Sequence, residues 1–171
     1  MAGKSTYLRS VAINQILAMS LGIVFAKDYT TDAYMVVTSM RIEDDAAAKK
    51  SKYYVEAERL LLIQKLLRTG VLMCLIDEIL TGTNTEDRVN ASIGLLANYS
   101  VHSDSIVIAA THDNVIAEQL GAKYDCYYFD GELEGEEIVY DYALKKGIVS
   151  KRNAIQLLRY LGLGIDRMPV N

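Results

Sequence analysis

Two uninterrupted apolar runs limit what this chain can become. Val71, Leu72, Met73, Cys74, Leu75 and Ile76 form one, and residues 105–110, apolar from Ile106 to Ala110, form the other. A strand with one wet face alternates apolar and polar side chains. A continuous run fits a strand covered on both faces, as in parallel sheets flanked by helices. Read along its length the chain alternates helix-like and strand-like segments, so the expected class is α/β, with a mostly parallel central sheet between helices. Both runs end abruptly in chemistry-bearing residues: Asp77-Glu78 after the first, Thr111-His112-Asp113 after the second. Open α/β sheets bind ligands at the carboxyl ends of their strands.

The amino terminus supplies a partner for those tips. Gly3, Lys4 and Ser5 fill the last three positions of the phosphate-loop pattern G-x-x-x-x-G-K-[ST], whose opening glycine falls upstream of Met1. The expectation is a P-loop NTPase fold truncated within the loop, lacking its feeding strand. Ala2, Gly3, Lys4, Ser5 and Thr6 are the candidate nucleotide-binding segment. Backbone N–H groups at a helix start point at phosphate, glycine permits close approach, lysine neutralises the β- and γ-phosphates, and a Ser hydroxyl ligates Mg²⁺. The mechanism needs a helix after the lysine. Residues 7–19 predict one, with Leu8, Val11, Ala12, Ile16 and Met19 at helical spacing.

Each strand tip has a functional and a bland reading. Asp77 is the candidate metal ligand and Glu78 the candidate base that orients and deprotonates an attacking water. The alternative is a polar strand end with solvated carboxylates. His112 is the candidate γ-phosphate sensor, against a histidine satisfied by a backbone carbonyl. Their joint occurrence with Lys4 and Ser5 favours ATP and Mg²⁺ as ligands. His102 reads as surface.

These residues carry a resemblance. Met1-Ala2-Gly3-Lys4-Ser5-Thr6-Tyr7-Leu8-Arg9, then Leu75-Ile76-Asp77-Glu78 with the following Thr81-Gly82-Thr83-Asn84-Thr85, then Ala110-Thr111-His112-Asp113, resemble the ATPase domain of the MutS-type DNA mismatch-repair family. Residues 41–57 fit as well: Asp44-Asp45 is similar to the family's acidic pair, and Ser51 with Tyr53, Tyr54, Val55 and Glu56 to its S-T-F-x-x-E stretch. The resemblance implies an ABC-type ATPase acting as a head-to-tail homodimer. ATP would lie between the loop of one subunit and the Ser51 segment of the other. Lys4, Ser5, Asp77, Glu78 and His112 would act in cis and Ser51 in trans, with DNA clamped by domains outside this chain. Four departures suggest a divergent branch. Lys49-Lys50 precede Ser51, Lys52 stands where Thr is usual, D-E-x-G-R-G-T-S reads Asp77-Glu78-Ile79-Leu80-Thr81-Gly82-Thr83-Asn84, and Asp113 follows the histidine.

Composition narrows the remaining classes. A length of 171 residues suits a single domain over residues 1–171 with its own core. A net charge of −4 argues against a surface that grips DNA by itself. No apolar run reaches a membrane span and no signal-peptide pattern opens the chain, so a cytoplasmic protein with no membrane partner is expected. Cys74 and Cys126 lie far apart, in strand-like runs, and suggest buried thiols. Strands are expected over 33–38, 71–76 and 105–110. Helices are expected over 54–67, with Val55, Leu61, Leu62 and Leu66 on its faces, and over 85–101, 114–120 and 153–161. Residues 43–52 read as loop or helix. The segments 125–129 and 137–142 bracket a Gly- and Glu-rich stretch and suggest a hairpin. The twelve tyrosines are expected mostly on strands, as packing residues. A rival reading is a non-catalytic module that dimerises or holds neighbouring domains. A transporter-type ABC ATPase is a weaker rival, since no L-S-G-G-Q-like stretch occurs.

Overall fold

The strand carrying Asp77 is the middle of the sheet. In a computed structural model describing residues 3–40, 52–81, 83–134 and 137–149, the elements run α1 (Lys4–Leu21), β1 (Met35–Ser39), α2 (Lys52–Leu67), β2 (Leu72–Asp77), α3 (Thr85–Tyr99), β3 (Ile106–Ala110), α4 (Asn114–Leu120), β4 (Tyr127–Tyr128), β5 (Gly131–Glu134), β6 (Glu137–Tyr140) and β7 (Lys145–Lys146). β1, β2 and β3 form a parallel sheet in the order β1-β2-β3. Each parallel neighbour is reached through a crossover helix, α2 and then α3, as parallel pairing requires. The chain divides into two compact units, Lys4–Tyr124 and Met1–Gly3 with Asp125–Asn171.

In the unit Lys4–Tyr124, every residue of β2 is buried. Successive side chains of a strand point to opposite faces. Leu72, Cys74 and Ile76 accordingly join Leu60, Ile63 and Leu67 of α2, Leu96 and Tyr99 of α3, and Ile116 and Leu120 of α4 in one core. Met73 and Leu75 turn the other way and pack with Leu8 and Ala12 of α1 and with Ala110. The strand has no wet face, which is why its sequence does not alternate. Burying each such Leu or Ile stabilises the fold by roughly 1.5–3 kcal/mol. Burial also pushes the Cys74 thiol up to about 11.

The helices differ from the sequence expectation in which residues they bury. On α1, Leu8 and Ala12 are buried, but Ile16 and Met19 are about half exposed, at 53% and 48%. Gln15, fully buried, takes the expected apolar place. Its amide is satisfied: Nε2 donates to the Asp32 carbonyl at 3.0 Å, and Oε1 accepts from Tyr29 and Thr31 hydroxyls at 2.8 and 2.7 Å. These bonds tie the segment before β1 to the helix and remove the cost of burying the amide. On α2, the buried residues are Leu60, Ile63 and Leu67, with Leu61 and Leu62 exposed. The run from Leu60 to Ile63 is apolar all round, so composition alone does not choose the inner face.

Tyrosines also depart from expectation. Among the described residues only Tyr127, Tyr128 and Tyr140 lie in strands, whereas Tyr7, Tyr53, Tyr54 and Tyr99 are helical. Tyr99 is 1% exposed and its hydroxyl donates to the Leu60 carbonyl at 2.7 Å, linking α3 to α2. Burial drives its pKa well above the usual tyrosine value. Tyr99→Phe is expected to lower unfolding free energy by about 1 kcal/mol, the usual net worth of one hydrogen bond. Urea denaturation of the two proteins checks this, and an unchanged midpoint would remove the bond from the stability account.

In the unit Met1–Gly3 with Asp125–Asn171, the expected pairing of 125–129 with 137–142 does not form. β4 pairs antiparallel with β7, and β5 pairs with β6 in the register Gly131↔Tyr140 to Glu134↔Glu137. Part of the Gly- and Glu-rich stretch is itself a strand. Its Glu132-Leu133-Glu134 alternates with the period of a pleat, a signal masked by its charge. Neither cysteine is in a disulfide: Cys74 lies in β2, and Cys126 just precedes β4. The expectations for residues 43–51 and for a helix over 153–161 fall outside the described residues. Within those residues, no helix is long and apolar enough to cross a membrane.

Candidate functional site

The parallel register sets the site's geometry. Asp77 and Ala110 are partners at the carboxyl ends of β2 and β3, so the two strand tips lie level. The Glu78 amide donates to the Ala110 carbonyl at 2.9 Å, extending the pairing one step beyond the strand. Thr111 and His112 follow directly on the other side. Lys4 is the first residue of α1, and its ammonium meets both strands' extensions: Nζ donates to the Thr111 carbonyl at 2.9 Å and lies 2.9 Å from His112 Nδ1. On its other side, His112 Nε2 lies 2.7 Å from Glu78 Oε1.

Lys4, His112 and Glu78 thus form a continuous polar chain. An ammonium has only protons to offer, so Nδ1 is the acceptor of the Lys4 contact. The ring proton then sits on Nε2, where it donates to the Glu78 carboxylate. The His112 side chain is 59% exposed and that of Glu78 16%, so the wet end of the chain is the imidazole and the dry end the carboxylate. Burial holds the Lys4 ammonium below the usual 10.5, and the nearby charges of Glu78 and then Asp77 pull it back up. Both carboxylates therefore act electrostatically on the lysine. Asp77 is 7% exposed, a buried charge at a strand end.

The backbone around Glu78 is unusual. Glu78 and Leu80 have φ of 60° and 56°, in the left-handed region that non-glycine residues rarely occupy. Such positions cost of order 1–3 kcal/mol and persist where surroundings over-determine them. Two restraints are visible here. Ile79 and Leu80 are buried in the α2–α3–α4 core. Glu56 of α2 accepts from both the amide and the hydroxyl of Thr81, at 2.8 and 2.7 Å. Asn84 then caps α3, accepting from the Asp87 amide at 2.9 Å.

A further restraint holds the His112 side. Arg88 of α3 grips Asp113 with Nε to Oδ2 at 3.2 Å and Nη2 to Oδ1 at 3.3 Å. Asp113 occupies the N-cap position of α4, yet its side chain makes no capping bond because the guanidinium takes it. Its amide donates to Thr111 Oγ1 at 3.0 Å. Arg88→Met is expected to cost about 1 kcal/mol for this bidentate, partly exposed pair. The loss should shrink in high salt, which denaturation at two ionic strengths measures. A salt-independent cost would assign the effect to packing by the arginine stem.

Among the sequence-derived candidates, Lys4, Glu78 and His112 are in contact, and Asp77 is near enough to perturb Lys4. Ser5 and Thr6 occupy the first turn of α1. Gly3 has φ of 86°, a conformation that favours glycine, and a Cβ there would meet the Tyr142 ring at 3.2 Å within its own unit. Ala2 and Ser51 fall outside the described residues. His102, expected at the surface, is partly buried, with its amide bonded to the Tyr99 carbonyl. The Glu56 and Arg88 contacts were not foreseen. The signal for the latter was an Asp at a helix start with an Arg on the preceding helix.

Asp77 and Ser5 offer oxygen donors of the kind that Mg²⁺ takes. Among the described residues no group of three or more His, Cys, Asp or Glu side chains could hold a metal unaided. Mg²⁺ does not need one: it commonly takes one or two protein oxygens, waters and substrate phosphates. Asp77 and the Ser5 hydroxyl are hard oxygen donors of that kind.

The chain is similar to known proteins along nearly its whole length. The family model described as MutS domain V matches residues 1–165. The DNA mismatch repair protein MSH3 of Saccharomyces cerevisiae is 31% identical over 97% of this chain and 17% of its own length. The DNA mismatch repair protein MutS of Alkaliphilus metalliredigens is 28% identical over 98% of this chain and 19% of its own length. MutS protein homolog 4 of Homo sapiens is 26% identical over 90% of this chain and 17% of its own length. The chain therefore spans under a fifth of the length of each of these relatives.

Proposed function

The chain belongs to the MutS family, matching its domain V, and from that premise we propose that it is a P-loop ATPase domain of the ABC type that binds and hydrolyses Mg²⁺-ATP. The observation that carries this reading is the convergence of Lys4, at the start of a helix, on Glu78 and His112 at two adjacent strand tips. We treat residues 1–171 as one such domain.

The roles follow from chemistry. The segment Ala2, Gly3, Lys4, Ser5 and Thr6 receives the phosphates, with backbone amides at the helix start and the Lys4 ammonium facing them. Lys4 leaves the Thr111 carbonyl and His112 for a stronger, doubly charged partner. Ser5 and Asp77 are the residues that hold Mg²⁺, which when bound offsets charge on the phosphate oxygens. Glu78 orients a water and accepts its proton as that water attacks the γ-phosphorus, and the bond from the γ-phosphorus to the β–γ bridging oxygen breaks to release ADP and phosphate. His112 turns its Nε2–H, which otherwise goes to Glu78, to a γ-phosphate oxygen. No covalent intermediate is required, because positioning and charge neutralisation suffice for phosphoryl transfer.

Partner roles come from the resemblance and the relatives. Two copies would associate head to tail as a homodimer, with Ser51 of one reaching the nucleotide of the other. DNA would be bound by domains outside this chain, and nucleotide state would control their clamping. The soluble character of such an assembly fits a cytoplasmic setting. Isothermal titration with Mg²⁺-ATP tests the reading, on this chain and on a polypeptide extended upstream through a preceding strand and loop. Saturable binding at one nucleotide per chain is expected. Heat from neither would remove the nucleotide reading and leave a module that dimerises or holds neighbouring domains.

A further inference from the structure

We propose that Glu56 is a positioning residue for the candidate base Glu78, and that through it the amino end of α2 is coupled to the hydrolytic carboxylate. The inference deepens the ATPase reading and rests on it for its kinetic part only.

The turn after β2 carries Glu78. Glu78 does not sit in a relaxed conformation: it and Leu80 both have positive φ. The side chains of Ile79 and Leu80 are buried, which fixes the middle of the turn, but a buried pair alone leaves its exit free to swing. Thr81 is that exit. Both its donors, amide and hydroxyl, end on the two oxygens of the Glu56 carboxylate. A two-point grip of this kind sets orientation as well as distance, and hydrogen bonds to an ionised group are the stronger kind. The turn is therefore held at both ends, by the Glu78 amide on the Ala110 carbonyl and by Thr81 on Glu56.

Glu56 is also placed to carry information. It lies on the first turns of α2, which begins at Lys52, the residue after Ser51. From Glu56 the same side of the helix continues through Leu60, Ile63 and Leu67, all buried under the sheet. A load on the amino end of α2 would therefore reach Glu56 before it reached these buried residues. A shift there moves the carboxylate, and with it Thr81 and the backbone that aims Glu78. A misplacement of about 1 Å at a reacting group can cost on the order of a hundredfold in rate.

Glutamine is the informative replacement. Its Oε1 can accept from the Thr81 amide while its Nε2 donates to the Thr81 hydroxyl, so Glu56→Gln keeps both contacts with the charge removed. Glu56→Ala keeps neither. Amide hydrogen exchange on the full chain is the first readout. Glu56→Ala is expected to raise exchange at Thr81 and Glu78 by roughly tenfold or more, with β2 amides unchanged and Glu56→Gln close to the parent. If the Ala variant loses its fold, Thr81→Val, which deletes the hydroxyl bond alone, takes its place and is expected to raise the same exchange rates to a lesser degree. Exchange within twofold of the parent in the variant that folds overturns the proposal.

The second readout is phosphate release under saturating Mg²⁺-ATP. Glu56→Ala is expected to lose roughly ten- to a hundredfold in kcat with KM within about threefold, and Glu56→Gln to recover most of the loss. A loosened turn with undiminished kcat would overturn the positioning role. Absence of turnover in the parent chain itself, by contrast, counts against the ATPase reading, while the exchange experiment still decides whether Glu56 holds the turn.

Discussion

Glu78→Gln is expected to suppress phosphate release by roughly 10²–10⁴-fold, the typical contribution of a positioned general base, while Mg²⁺-ATP still binds within about threefold. The substitution is chosen for what it preserves. Glutamine is isosteric, and its Oε1 can still accept from His112 Nε2, which lies 2.7 Å from Glu78 Oε1 in the parent. The backbone restraint at Thr81 is untouched. What disappears is the basicity that would take a proton from water. Lys4 also loses one of the two negative charges that favour its ammonium, a change that acts on affinity rather than on proton transfer. Single-turnover phosphate release and equilibrium nucleotide binding, measured side by side, separate the two effects. Undiminished turnover would remove Glu78 from the mechanism, whatever its contact with His112.

Much of the site was legible because its residues sit where local pattern is strongest. The run from Leu72 to Ile76 announces a strand with two dry faces, and Asp77-Glu78 at its end needs no tertiary knowledge to be placed at a strand tip. Lys4 at a helix start is equally local. That Lys4 should touch His112, 108 residues away, followed only from assuming that both serve one phosphate. The failures are also physical. Gln15 fills a core position that hydropathy assigns to its neighbour Ile16, because three partners far along the chain satisfy its amide. Within the apolar stretch from Leu60 to Ile63, the buried face is chosen by what the sheet presents, so Leu61 and Leu62 end up exposed. β5 was hidden by its glutamates, whose charge reads as loop although their alternation reads as strand. Asp113 was noticed only as a departure from the family's pattern, and its partner Arg88 lies on another helix. Charged pairs between helices leave no periodic trace in a single sequence.

Lys4→Met should act in the opposite sense on affinity and on stability. A charged hydrogen bond to phosphate is worth about 1.5–3 kcal/mol, so nucleotide affinity is expected to fall by roughly ten- to a hundredfold. The fold itself should not suffer. Burial depresses the Lys4 pKa below 10.5, so between its folded value and 10.5 the unfolded chain binds more protons than the folded one. Under linkage, stability then rises with pH through that window, and at neutral pH the buried ammonium is a burden that its neighbours only partly offset. Methionine keeps the aliphatic stem, removes that burden and abolishes the alkaline gain. Denaturation midpoints for Lys4→Met are therefore expected to equal or exceed those of the parent at pH 7, and the difference should narrow as pH is raised toward 10. Nucleotide titration completes the test, because a phosphate-binding lysine predicts weakened binding together with an intact fold. Equal affinity in parent and variant would leave Lys4 as nothing more than a buried link between α1 and the His112 loop.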